Sequence, residues 1–261
     1  MYQENKNIKA KKYFGQNFLK NKAITKKIVD LAEITSTDSV IEIGPGKGAL
    51  TKEILKKTKD LIVFEIDKDM QNYLIDNEIL KTEQIILGDF LKAELSDFKN
   101  SVVIGNIPYY ITSEIIFKIL DNRFLFKKAI LMVQKEVADR IVAKANSSEY
   151  SKLSVTCQYV AEVKKLLVVP KKEFDPVPNV DSAIISFNFY QKENDNFDEL
   201  KNFFKLIFST RRKKLSFSLK QYFNKEKILD LYNKMNLSEN IRVQELSLNQ
   251  MVEMYYLLNE K

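Results

Sequence analysis

Apolar residues fall into short, dense runs separated by polar or glycine-marked turns. Val40 to Ile43, Leu61 to Ile66, Gln84 to Leu87, Val102 to Gly105 and Ala129 to Val133 each read as a buried strand. Between them the apolar spacing widens to that of a helix. Ile24, Ile28, Leu31 and Ala32 mark one helix from Ala23 to Ile34, and a second is expected from Leu50 to Lys57. Strands alternating with helices predict an α/β fold, its sheet mostly parallel and covered on both faces. Two later runs, Val163 to Val169 and Ala183 to Phe189, are close enough to form an antiparallel edge pair. Tyr190 to Leu200 is polar and charged and reads as a linker. Beyond it the pattern is helical. Ser247 and Gln250 form a capping box ahead of a helix carrying Leu248, Met251, Val252, Tyr255 and Leu258 on one face. The chain therefore divides into a sheet domain over 1–192, with a basic N-terminal arm over 1–27, and a small all-helical domain over 193–261.

Composition narrows the chemistry. Of 261 residues 45% are hydrophobic, enough for a sizeable core. The longest apolar runs are far too short to span a bilayer, and no apolar segment follows the basic start as in a secretory signal. The single cysteine, Cys157, excludes an internal disulfide, reads as a small buried residue and fits the cytoplasm. There is no histidine, so a Ser-His-Asp triad, a Cys-His pair and a His-ligated zinc are all excluded. Of the net +7, the segment Met1 to Lys27 carries eight lysines against Glu4, and Lys205 to Lys227 carries eight Lys/Arg against Glu226. Two basic segments on an acidic body suit a polyanion such as nucleic acid, or else form solvated faces. Arg211 and Arg212 are adjacent, and arginine is the better bidentate phosphate ligand. Arg211, Arg212, Lys213 and Lys214 are accordingly candidate RNA contacts, the alternative being a solvated helix face.

The candidate site begins at "VIEIGPGKGALT", a strand, a glycine turn and a helix start. The dinucleotide fingerprint wants a glycine where Ala49 stands, and a P-loop wants Ser or Thr where Gly48 stands. The pattern, with acidic Glu42 just ahead, fits S-adenosylmethionine better. Glu65 lies 21 residues after Gly44 at a strand end, where a carboxylate can accept both ribose hydroxyls. Asp89 ends the next strand and could accept from an adenine amine. Asn106 ends the one after. The same residue types also serve as helix N-caps, but four consecutive strand ends bearing Gly, Glu, Asp and Asn would line one crevice.

Asn106 opens "NIPYY". An aromatic amine is a poor nucleophile because its lone pair is delocalised into the ring. Two acceptors aimed at its N–H groups favour a pyramidal nitrogen and free that pair. The Asn106 side-chain oxygen is one. The Ile107 carbonyl, held by Pro108, is a candidate for the second. Tyr109 can stack on the base. No general base is needed at the outset, because a sulfonium methyl is already activated.

Several segments now carry a resemblance: "FGQNFL", "EIGPGKGALT", "EID", "GD", "GNIPYYIT", "MVQKEVADRI", "YSKLSVTCQY", "FDPVPNVDSAI" and "FSTRRKKL". In order and spacing the chain resembles the ribosomal RNA adenine dimethyltransferases over nearly its whole length. It is most similar to the housekeeping branch that dimethylates two adjacent adenosines near the 3′ end of 16S rRNA. The resemblance implies a Rossmann-like methyltransferase sheet with a small helical C-terminal domain. It implies that Asn17, Leu19, Gly44, Glu65, Asp89 and Asn106 lie against S-adenosylmethionine, and that Phe174 stacks on the target base opposite Tyr109. Apart from the resemblance, Phe174 reads as core, and "FDPVPNV" as a Pro-rigidified loop before a strand. The implied partner is 16S rRNA in the immature 30S subunit, met by a monomer without metal or membrane. Two positions depart from the housekeeping pattern. Ile107 stands where Leu is usual and matches the resistance branch acting on large-subunit rRNA, and Tyr110 stands where Asn is usual. A non-catalytic RNA-binding assembly factor is the alternative from another class.

Overall fold

The computed structural model describes residues 10–191 and 196–259. The first nine residues of the basic arm, and residues 192–195 with the expected domain boundary, lie outside the described residues. In chain order the elements are β1 (Phe18–Leu19), α1 (Lys22–Leu31), β2 (Val40–Ile43), α2 (Ala49–Ile54), β3 (Leu61–Glu65), α3 (Lys68–Asp76), β4 (Ile85–Leu87) and β5 (Ser101–Asn106). They continue with α4 (Thr112–Asp121), β6 (Phe126–Gln134), α5 (Lys135–Ile141), α6 (Lys152–Val160), β7 (Ala161–Val169), β8 (Phe174–Asp175) and β9 (Ser182–Phe189). Last come α7 (Phe197–Ile207), α8 (Leu215–Leu219), α9 (Lys225–Lys234) and α10 (Leu248–Asn259).

The chain folds as two compact units. One joins the described residues up to Ala138 to Lys164–Phe189. Its main sheet has the order β4-β3-β2-β5-β6-β9-β7. Neighbours from β4 to β6 are parallel, and β9 runs antiparallel to β6. The chain steps outward from β2 to β3 and β4, then returns to the other side of β2 for β5 and β6. A crevice opens where such an order reverses, at the carboxyl ends of the strands. Val63, Val102, Val103, Ile104, Ala129 and Leu131 are all completely buried. Continuous apolar strands of this kind suit a sheet covered on both faces, and each fully buried large aliphatic side chain contributes ~1.5–3 kcal/mol. The expected β7–β9 edge pair forms. Ser186 Oγ donates to the Lys164 carbonyl, and the Tyr190 N–H donates to that of Val160, so the partners run in opposite senses. α1 begins where the Asn21 side chain accepts from the Ala23 and Ile24 N–H groups. It ends at Leu31, three residues short of the apolar pattern, because Glu33 turns left-handed at φ 51°.

The second unit joins Asp139–Val163 to the segment from Tyr190 onward. This corrects the expected division, which left 139–163 in the sheet domain. Tyr150 and Val155 pack into the same core as Leu200, Phe204, Leu215 and Met254, so α6 belongs with the C-terminal helices. The predicted capping box is present: Gln250 N–H donates to Ser247 Oγ at 3.3 Å, and Ser247 N–H to Gln250 Oε1 at 2.9 Å. Cys157 is buried, and burial pushes its thiol pKa up.

Candidate active site

A cavity of about 240 Å³ lies in the sheet unit, where the carboxyl ends of β2 to β5 face the segment before α1. Asn17, Leu19, Gly44, Glu65, Asp89, Asn106, Ile107, Pro108 and Tyr109 all line it. After β2 the backbone turns through Gly44 at φ 67° and Gly46 at φ 52°, in the region that disfavours side chains. A Cβ on Gly46 would stand 2.9 Å from the Phe18 ring, so the glycine lets β1 close over the turn.

Glu42, Glu65, Asp89 and Asp175 are the acidic residues on the walls. Glu65, ending β3, accepts from the Asp67 N–H at 2.8 Å and the Gly46 N–H at 3.3 Å. Burial raises its pKa to about 7 against those two bonds. Glu42, in β2, is fully enclosed and accepts from Thr51 Oγ1 at 2.7 Å. Burial, with Glu65 nearby, raises its pKa to about 8. Asp89 accepts from the Leu91 N–H at 3.0 Å and so caps a short 3-10 turn, while its residue also lines the cavity. The capping reading of Asp89 is the one observed.

Asn106 closes β5. Its Nδ2 donates to the Asn17 carbonyl at 2.9 Å. Only the amide's donor end can face a carbonyl, so Oδ1 is the end left to accept. The Ile107 side chain is buried, while its carbonyl accepts no hydrogen bond among the described residues. Pro108 is extended at φ −61°, ψ 135°. Tyr109 sits at the cavity wall, its hydroxyl 2.6 Å from Ser182 Oγ. Burial raises the phenol pKa.

Phe174 is a correction. Its ring is completely buried in the hydrophobic core, and it does not line the cavity. β8 pairs antiparallel with β1, placing Phe174 opposite Leu19, and the neighbouring Asp175 takes the place on the wall.

The sequence reading passed over the strap that holds this segment. Lys11 Nζ pairs with Asp67 and Asp69, each at 2.6 Å, and Gln16 Nε2 donates to Asp67 at 2.9 Å. Gln16 lies within "FGQNFL", where only Asn17 and Leu19 were singled out. Ser182 was also passed over, although it lies within "VDSAI".

The four basic candidates lie in the helical unit and differ among themselves. Arg211 donates to the carbonyls of Ser147, at 3.4 Å, and of Ser148, so it is committed to the protein. Arg212, Lys213 and Lys214 are exposed and line a surface concavity with Lys220 and Arg242. Lys213 Nζ stands 4.1 Å from the Phe217 ring centroid. Lys220 and Arg242 are distant in sequence from the "RRKK" run, which is why it did not point to them.

A central β2 with β3 and β4 to one side and β5 and β6 to the other, a glycine turn, and an acid and an amide at successive strand ends define the class: a Rossmann-like methyltransferase fold. The sequence model described as ribosomal RNA adenine dimethylase matches residues 7–260, and the chain belongs to that family. It is 48% identical to the ribosomal RNA small subunit methyltransferase A of Mycoplasmopsis synoviae (strain 53), covering 96% of this chain and 97% of the relative. It is 45% identical to the protein of the same name from Mycoplasma mobile, over 95% and 98% of the two chains. Among solved structures, a dimethyladenosine transferase from Plasmodium falciparum matches with a TM-score of 0.80 at 32% identity, over 91% of this chain and 95% of the other. The 23S rRNA methyltransferase ErmE shares the fold, with a TM-score of 0.70 at 24% identity over 94% and 100% of the chains.

Proposed function

We propose that the protein transfers methyl groups from S-adenosylmethionine to the N6 amines of two adjacent adenosines near the 3′ end of 16S rRNA, acting as a monomer on the immature 30S subunit in the cytoplasm. The observation that carries this is the Asn106 amide, turned by the Asn17 carbonyl so that Oδ1 is free to accept at the cavity.

The residues suit S-adenosylmethionine. A cationic ligand would favour the ionised form of Glu42 and Glu65, which burial holds back, and the Gly44–Gly46 turn admits one close to backbone. Glu65 and Asp89 would hold its nucleoside, with Asn17, Leu19 and Gly44 against it. When bound, this cofactor supplies a methyl group activated by positive sulfur. The chain's own residues then work on the adenine. Asn106 Oδ1 and the Ile107 carbonyl each accept one N–H of the amine, restoring its lone pair. Tyr109 orients the ring by stacking. The amine proton leaves to water, so no histidine is required.

Relatives named for the small subunit support the 16S target. Ile107 is the position that favours a large-subunit target instead, while Tyr110 departs from the housekeeping pattern without pointing to either target. Labelled S-adenosylmethionine should methylate immature 30S particles and leave 23S rRNA unmodified, with label recovered as N6,N6-dimethyladenosine. Transfer to 23S rRNA alone would replace the first reading with the second.

A further inference from the structure

Tyr109 and Tyr110 are adjacent but held differently. Tyr110 is 58% exposed, and its hydroxyl has no partner among the described residues. The Tyr109 hydroxyl lies 2.6 Å from Ser182 Oγ, and Ser182 is completely buried. Ser182 is itself rigid. It pairs with Gln134 across the β6–β9 ladder. The preceding Asp181 accepts from the Lys135 N–H through its carbonyl and from the Lys171 N–H through its side chain, each at 2.9 Å. The backbone of Tyr109 is fixed too, since Thr112 Oγ1 donates back to the Pro108 carbonyl at 3.1 Å. What freedom remains is the swing of the ring about its side-chain torsions, and a hydrogen bond at the far end of the ring removes it.

We propose that Ser182 is a positioning residue: its hydroxyl pins the far end of Tyr109, so that the ring offers one set face to the incoming base before the base arrives. This rests on Tyr109 serving as the base platform. It gives β9 a part in the reaction, beyond completing the sheet. A platform ordered in advance loses no rotamer freedom when the base stacks, and loosening it should cost roughly 3- to 10-fold in kcat/KM.

The test is a double-variant cycle on the whole protein with immature 30S particles. Ser182→Ala should lower kcat/KM for the particle roughly 3- to 10-fold and leave S-adenosylmethionine affinity by calorimetry unchanged. Ser182→Thr, which keeps the hydroxyl, should restore most of the rate. Tyr109→Phe keeps the stacking face and removes the bond from the other side. It should show the same loss, with Ser182→Ala adding nothing further on top. If the two losses multiply in the double variant, or if Ser182→Ala lowers only the melting temperature, Ser182 is merely a satisfied buried hydroxyl. A wild-type protein that transfers no methyl to any rRNA sinks the functional reading and this role with it. An active wild type with multiplying losses sinks this role alone.

Discussion

Asn106 has a donor end and an acceptor end, and among the described residues only the donor is used, on the Asn17 carbonyl. Asn106→Ala should therefore reduce single-turnover methyl transfer by ~10²-fold, the usual cost of losing one preorganised electrostatic partner. Binding to the 30S particle should persist, measured by co-sedimentation. Near-normal transfer by this variant would refute the amine-activating role. Glu42 and Glu65 make a second residue-scale case, through pH. Their pKa values are raised from the ordinary 4.5 to about 8 and about 7, chiefly by burial. Over that window the folded protein keeps protons that the unfolded chain has released. The stability these groups contribute is thus complete below pH ~4.5 and is lost as pH rises through 7 to 8. The melting temperature of the ligand-free protein should fall across this range, and Glu42→Gln should flatten the fall. Added S-adenosylmethionine, being cationic, should stabilise more at pH 8 than at pH 6. A ligand shift independent of pH would remove these carboxylates from cofactor recognition. Glu65→Ala should also weaken cofactor binding by about 1–3 kcal/mol in calorimetry.

At the scale of elements, the five sheet strands from β2 to β6 were legible because each is built on a short, dense apolar run. Their strand-end residues were legible for the same reason: parallel topology puts successive carboxyl ends on one edge. The segment closing the cavity was not legible. β1 and β8 have two residues each, too few for any periodicity to register, and they pair across more than 150 positions. That pairing is also what takes Phe174 into the core, where a sequence pattern cannot distinguish a buried ring from a stacking one. Gly46 reports on the closure directly. Gly46→Ala would impose a side chain at φ 52° and press its Cβ on Phe18. It should destabilise the protein by about 1–3 kcal/mol, and it should weaken cofactor binding measured by calorimetry. Unchanged affinity and melting temperature would mean that β1 does not rest on the turn.

For the whole molecule, charge was readable from sequence but its deployment was not. Met1 to Lys27 and Lys205 to Lys227 each carry +7, equal to the net charge of the entire chain. Counting cannot say which of those cations face solvent. Arg211 looks identical to Arg212 in sequence, yet it is tied to the carbonyls of 147 and 148, in the same stretch that the helical unit draws in from the middle of the chain. The long separation between 139–163 and the C-terminal helices hid both facts. The two arginines should now behave differently. Arg212→Ala together with Lys214→Ala should weaken binding to the 30S particle and flatten its salt dependence by about two contacts, each worth roughly 0.7–0.9 in slope. Cofactor affinity should be untouched. Arg211→Ala should instead lower the melting temperature and leave the salt slope nearly as it was. Titrations of 30S binding against potassium chloride, run beside thermal melts, separate the two. If the Arg212/Lys214 variant keeps the full slope, the exposed cluster is a solvated face. If Arg211→Ala removes a full contact from the slope, its guanidinium leaves Ser147 and Ser148 to hold phosphate.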